Sequence, residues 1–330
     1  ERGGDRIYAV IKGVGSSSDG KGQAVYAPSP EGQARALRVA YRNAGVTPDT
    51  VGLVEAHGTG TIVGDATEAR GLTSVYEDTG REGSWCALGS VKSMIGHTKA
   101  AAGAAGLIKA VMALHHKVIP PTIKVETPNE AVAPGETPFY VNTEKRPWLP
   151  DSDHPRRAGV SAFGFGGSNF HCVVEEYDSE ATSADWDGRD QIFAFSADSR
   201  EALESKLKDF DAGSTWAEIR GRAAETREAF DAAHEVRLLV VVERDGKPPA
   251  DLITLALARL EEAPSAWSLP QGVFFGSGPS KGGWAACFPG QGAQYVGMLR
   301  ELVCRFPVAA KTLANATEAT SRLVDSLYPH

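Results

Sequence analysis

The sequence predicts an α/β fold, and three observations predict it. Short apolar runs alternate with segments of helical spacing through the first half of the chain. Several of those runs carry no polar alternation, as strands buried on both faces do. After an acidic, small-residue stretch at 179–190 the same alternation resumes in a second, smaller stretch.

In chain order, residues 7–13 read as a strand and are followed by a Gly/Ser/Pro-rich stretch to about Pro30. Residues 31–43 have helical spacing. Residues 51–56 form a short apolar strand that ends at His57, and 65–76 a helix. Residues 87–91 give another strand. Residues 98–115 give a long helix rich in Ala and Gly, whose small side chains let other backbones pack close, a reason to keep Gly inside a helix. Strands are expected at 139–142, 157–163 and 170–175. Beyond the acidic stretch, strands at 192–196, 237–243 and 272–276 and helices at 199–210 and 249–260 predict a compact α/β module. A last strand at 284–289 runs into a glycine turn and a helix. The expected domains are 1–177, 178–283 and 284–330.

Composition narrows the function classes. With 330 residues, 42% of them hydrophobic and 23% charged, the chain suits about two globular domains. A formal net charge of −8 supplies no basic stripe for nucleic acid. No apolar run approaches the roughly 20 residues of a membrane helix, and no signal peptide is expected; the first residues lead straight into a strand, as if within a domain. The four cysteines form no CxxC pair, so neither a metal site nor redox chemistry is expected, and a reducing, cytoplasmic setting fits.

Three constellations carry chemistry. Glu55-Ala56-His57-Gly58-Thr59-Gly60-Thr61 continues to Asp65 and Glu68. Val91-Lys92-Ser93-Met94-Ile95-Gly96-His97-Thr98 enters the Ala/Gly helix. Gly159 to Asn169 includes Phe163-Gly164-Phe165-Gly166-Gly167. His57 ends a buried strand in a Gly/Thr turn, where ligands approach backbone. His97 stands at the mouth of a helix, where the dipole and Lys92 disfavour the imidazolium; a neutral ring donating to a developing oxyanion is the expected role. The 164–167 run can expose backbone N–H groups for the same purpose. Taken singly, each has a plainer reading, a satisfied core histidine or an ordinary turn. That plainer reading is kept for His115, His116, His154, His171 and His234, and for Cys86 and Cys172 as small apolar residues.

Together, the three motifs closely resemble the C-terminal half of β-ketoacyl synthases, the condensing enzymes of fatty-acid and polyketide synthesis, over about residues 1–177. The resemblance implies a thiolase-like half-domain with His57 and His97 as the two catalytic histidines. It implies that Glu68 and Lys92 form a supporting ion pair, that Thr59 and Thr61 contact the substrate's pantetheine arm, and that Phe165, with Gly166 and Gly167, gates the site and contributes to an oxyanion hole. The family reaction is a decarboxylative Claisen condensation on an acyl carrier protein. The cofactor implied is the carrier's phosphopantetheine; none is expected in this segment. Partners implied are acyl and malonyl thioesters, the synthase's N-terminal half and a second copy in a homodimer. The nucleophile elbow, with its cysteine, is absent from this sequence and belongs upstream of Glu1, so the chain by itself is expected to be inactive.

A second resemblance starts at Cys287-Phe288-Pro289-Gly290-Gln291-Gly292-Ala293-Gln294, the opening motif of malonyl/acyl transferases, and implies an oxyanion-hole role for Gln291. The module before it resembles the linker between ketosynthase and acyltransferase in type I synthases. The wording around Lys92–Gly103, His115–Lys124 and Arg156–Phe165 resembles the iterative synthases of enediynes and polyunsaturated fatty acids. Two rivals remain: a thiolase-type acyl-CoA condensing enzyme, and a non-catalytic ketosynthase-like scaffold for carrier docking or chain-length control.

Overall fold

A computed structural model describes residues 5–20, 27–133, 135–151, 153–164, 166–177, 188–263, 265–279, 283, 285–316, 324 and 326–329. The chain divides into two compact units, residues 1–184 with 291–330, and residues 185–290.

The first unit begins with β1 (Ala9–Ser18), α1 (Pro30–Ala44), β2 (Leu53–Glu55), α2 (Ile62–Tyr76), β3 (Cys86–Gly89), the one-turn α3 (Lys92–Ile95) and α4 (Ala102–His116). It continues with β4 (Val118–Ile119), β5 (Phe139–Val141), β6 (Arg146–Pro147), β7 (Arg157–Gly164) and β8 (Ser168–Glu176). Six strands form one sheet in the order β1-β8-β7-β2-β3-β5. The pairs β7–β2, β2–β3 and β3–β5 are parallel, and β1–β8 and β8–β7 antiparallel. β1 runs on through Ser18, where the Gly/Ser-rich sequence predicts a loop, because the ladder to β8 satisfies its backbone.

Alternation along the strands builds two cores. Val54, Cys86, Phe139 and Val173 face α1 and α2 through Leu37, Tyr41, Leu72 and Tyr76. Their neighbours Leu53, Ala87, Tyr140 and Val174 face the other way, with Ala110, Ala113 and Leu114 of α4. The central strands are therefore covered on both faces, which is why they read as unbroken apolar runs. The Ala/Gly surface of α4 serves the expected close packing: a Cβ at Gly103 would lie 3.2 Å from the Ala162 Cβ. Helix α1 carries its own signals, with Ser29 accepting from the Gly32 N–H and Gly45 ending it in the left-handed conformation.

His171 is a satisfied core histidine, as its plainer reading has it. It is buried, with Ser161 Oγ 3.0 Å from Nδ1 and Tyr41 OH 3.3 Å from Nε2. Burial holds its pKa down at about 3. The unfolded chain takes up a proton near pH 6.5, which the folded state refuses. Stability from this group is thus present above about pH 6.5 and is lost as pH falls toward 3. His171→Gln should flatten that part of the profile, measured as urea midpoints at pH 7 and 4.5; an unchanged acid slope would exclude His171 as its source.

The second unit holds β9 (Asp190–Ala197), α5 (Arg200–Lys208), α6 (Trp216–Glu228), β10 (Val236–Glu243), α7 (Pro249–Glu262), β11 (Trp267–Leu269) and β12 (Val273–Ser277). Its antiparallel sheet has the order β11-β12-β10-β9 and a core of its own around Phe193, Leu203, Leu238 and Leu260. Helix α6 is not legible in the apolar pattern; Thr215 and Glu218 nucleate it through a capping box. Helices α8 (Arg300–Arg305) and α9 (Pro307–Ala314) belong to the first unit. There Arg300 pairs with Glu144, and Glu301 with Lys145. The strand expected at 284–289 does not form at the described residues 285–289. They are exposed and have no ladder partner, and a lone strand leaves its backbone groups unpaired. Trp284 lies outside the described residues.

Candidate active site

Each of the three motifs spans or follows the C-terminal end of a strand in the parallel run β3-β2-β7. Adjacent parallel strands end side by side, and the crevice beyond their carboxyl ends is where open α/β sheets bind ligands. This closes the 40-position gap between the histidines. The rings of His57 and His97 lie 5.5 Å apart, nearly perpendicular, and Phe163 stands 5.6 Å from His57. They line a cavity of about 920 Å³ together with Thr59, Thr61, Glu68, Gly166 and Gly167. Phe165 lies outside the described residues. Gly166 and Gly167 make the turn between β7 and β8 with φ of 86° and 76°, a region that favours glycine.

Local bonds aim the two rings. The backbone N–H of Lys99 donates to His97 Nδ1 at 3.0 Å. A neutral His97 therefore keeps its proton on Nε2. Its place agrees with expectation: a 3-10 turn at Lys99–Ala101 runs directly into α4, so His97 stands just ahead of that helical segment. Lys99 holds φ at 56°, a left-handed conformation that turns its N–H back toward the ring.

His57 Nδ1 is buried without a hydrogen-bond partner, and the ring lines the cavity. Burial, with the charge of Lys92 and then His97, brings the His57 pKa down to about 4, so the ring is neutral at pH 7. Lys92→Met should raise that pKa, because one depressing charge is gone while the burial remains. An NMR titration of the His57 ring would show it, and an unmoved midpoint would remove Lys92 as its electrostatic partner.

Glu68 and Lys92 do not form the expected ion pair. Both oxygens of the buried Glu68 carboxylate are committed to backbone: Oε1 accepts the His57 N–H at 2.7 Å and Oε2 the Gly58 N–H at 2.8 Å. Burial pushes the Glu68 pKa up to about 7 against those two donors. Lys92 acts at longer range; burial lowers its pKa, partly offset by Glu55 and Glu68.

Thr61 caps α2, accepting the Gly64 N–H, and its hydroxyl is 3.1 Å from that of Thr59. Both threonines are exposed. Asp65 accepts the Gly60 N–H and holds the same turn. Gln291 lies in an exposed turn and does not line the cavity.

Two residues carry geometry that the motif reading gives no role. Glu55 and Lys109 form an ion pair of 2.9 Å, with side chains 2% and 8% exposed. The visible signals were a charge closing the apolar run Leu53-Val54, and a lone lysine inside an Ala/Gly helix.

No group of three or more His, Cys, Asp or Glu suited to a metal occurs among the described residues. None of their helices is long and apolar enough to cross a membrane.

Comparison with known proteins places this geometry. Residues 8–126 match the family described as beta-ketoacyl synthase, C-terminal domain, and residues 128–241 the ketoacyl-synthetase C-terminal extension. Over 93% of its length the chain is 41% identical to one of the polyunsaturated fatty acid synthase proteins of Thraustochytrium sp.. Over 98% it is 39% identical to polyketide synthase GfsB of Streptomyces halstedii. It spans only 12% and 6% of those two proteins. Among solved structures, the ketosynthase from module 6 of the bacillaene synthase from Bacillus subtilis 168 superposes with a TM-score of 0.51 at 34% identity. That match covers 79% of this chain and 47% of that one.

Proposed function

Residues 8–126 belong to the C-terminal domain of the β-ketoacyl synthases, and residues 128–241 to the extension that follows it, and from this premise we propose that the two-histidine pocket serves a decarboxylative Claisen condensation in a polyketide or polyunsaturated-fatty-acid synthase. One observation carries the proposal: two imidazoles 5.5 Å apart line one cavity, His97 with Nδ1 accepting the Lys99 N–H and His57 with Nδ1 buried.

The reaction read onto this pocket runs in two stages. A malonyl thioester on a carrier protein loses carbon dioxide, and the electron pair of the broken C–C bond passes into an enolate. The Nε2–H groups of His57 and His97 donate to the thioester oxygen as charge gathers there; fixed donors in a shielded site do this without reorganising. The enolate carbon then attacks an acyl thioester, forming the new C–C bond and expelling a cysteine thiolate.

That cysteine is supplied from outside this chain. Among the described residues, none that lines the cavity is a cysteine. Burial pushes the thiols of Cys86 and Cys172 up, and that of Cys304 to about 11, which disfavours the nucleophilic thiolate. The chain alone therefore extends nothing. The exposed hydroxyls of Thr59 and Thr61 suit hydrogen bonds to the pantetheine arm of the carrier protein, and the turn at Gly166 and Gly167 supplies backbone N–H groups to the acyl carbonyl. Residues 178–283 act as the linker and 284–330 open an acyltransferase, with Gln291 beside its oxyanion hole. The wording around Lys92–Gly103 and Arg156–Phe165, which resembles the iterative synthases, supports iterative extension, by a homodimeric parent in the cytoplasm.

Incubation of this chain with radiolabelled acyl thioesters should leave all four cysteines unlabelled, while the ketosynthase that carries it is acylated and releases carbon dioxide from malonyl carrier protein. Stable acylation of Cys86, Cys172, Cys287 or Cys304 in the chain alone would overturn this reading.

A further inference from the structure

We propose that Glu55 and Lys109 are positioning residues, a buried ion pair that ties the turn carrying His57 to the turn carrying His97. The proposal rests on the reading of their pocket as the condensation site. Glu55 closes β2 two residues before His57. Its Oε1 accepts the N–H of Val91 at 2.6 Å, and Val91 opens the segment that bears Lys92 and His97. Two further bonds join the same turns: Ala56 N–H to the Gly89 carbonyl at 2.7 Å, and Ser90 Oγ to the Ala56 carbonyl at 3.2 Å. Glu55 is the member of this set that also reaches a third element. Its Oε2 meets Lys109 Nζ of α4 at 2.9 Å, as a charge contact without a well-aligned hydrogen bond.

The surroundings are shaped around the pair. A Cβ at Gly106, one turn before Lys109, would stand 3.0 Å from Glu55 Cγ. A Cβ at Gly89 would stand 2.2 Å from Thr122 Oγ1 and 3.4 Å from Lys109 Nζ. Stability alone gives little reason for such a pair, since buried ion pairs are often replaced by apolar residues without loss. Setting the separation of two donors does give one, because misplacement of reacting groups by about 1 Å can cost about 100-fold in rate.

The test uses the ketosynthase that carries this chain, with malonyl thioester decarboxylation and the histidine ring signals in NMR as readouts. Gly106→Ala removes no charge and favours the helix, but its methyl group displaces Glu55. It should lower kcat about tenfold or more, leave KM within about twofold, move the ring signals of His57 and His97 and keep the melting temperature. Lys109→Met should lower kcat further. Glu55→Gln combined with Lys109→Met should regain most of it, because the amide oxygen can still accept from Val91. Wild-type kcat in folded Gly106→Ala and Lys109→Met, or ring signals unmoved in both, would reduce the pair to a structural role and overturn the proposal. If the unaltered enzyme fails to decarboxylate, the condensation reading falls, and the ring signals still decide: shifted signals uphold the tether, and unshifted ones reject it.

Discussion

His97→Ala in the ketosynthase that carries this chain should leave acyl loading intact and lower chain extension by about 10²–10³-fold, the loss that follows removal of one oxyanion donor. Loading needs an activated thiolate, whereas His97 lines the cavity with Nδ1 accepting the Lys99 N–H, and the proposed reading makes its Nε2 the donor to the enolate. It holds no acyl chain. On the proposed reading extension needs the enolate, and the variant loses one of the two imidazoles that would stabilise it. Rapid-quench measurement of acyl-enzyme formation beside product release separates the steps. Normal extension by the variant would remove His97 from the chemistry, and lost loading would make it a loading residue instead.

Glu68→Ala should have the largest effect on the fold of the site. It strips the acceptors from two backbone N–H groups, those of His57 and Gly58. A buried donor left unpaired costs about 1–3 kcal/mol, so the pair costs on the order of 2–6 kcal/mol, comparable with the whole stability of many domains. Gly58 leaves the turn little room to relax: its φ is 46°, and a Cβ there would lie 2.8 Å from the Ser90 Cβ. Glu68→Gln keeps one acceptor and should be far milder.

The same residue sets a pH dependence of opposite sign to that of His171. Burial raises the Glu68 pKa from 4.5 to about 7, so the folded state holds the proton more tightly than the unfolded chain. Its contribution is full below pH 4.5 and declines as pH rises through 7, by on the order of 3 kcal/mol. Glu68→Gln should remove that decline, read as urea midpoints between pH 4.5 and 8. Equal slopes in both proteins would show that Glu68 does not titrate in this window.

Much of the site was legible because its chemistry is local in sequence. Gly58 and Gly60 mark a turn, and His57 follows an apolar strand; each signal needs only a few residues. The 284–289 strand failed for the converse reason: its apolar run is local, but a strand needs partners that local sequence cannot supply. Helix α6 escaped because its apolar pattern is weak and its cap alone nucleates it. The Glu68–Lys92 pairing failed because charge and spacing say which residues can meet, not which acceptor a carboxylate will choose. Glu68 chose two backbone donors that exist only once the His57 turn has formed.

By itself the sequence determined the α/β class, the three motifs, the two histidines and the family to which these residues belong, because periodicity, turn chemistry and motif wording are short-range properties. The tertiary structure decided the rest. The parallel order β3-β2-β7 brought His57 within 5.5 Å of His97. The Lys99 N–H fixed which nitrogen of His97 can donate. Burial kept His57 neutral at pH 7 and drew Glu55 and Lys109 together. Each depends on groups far apart in the chain becoming neighbours away from water, and there desolvation and hydrogen-bond geometry, not residue type, set proton positions and partners.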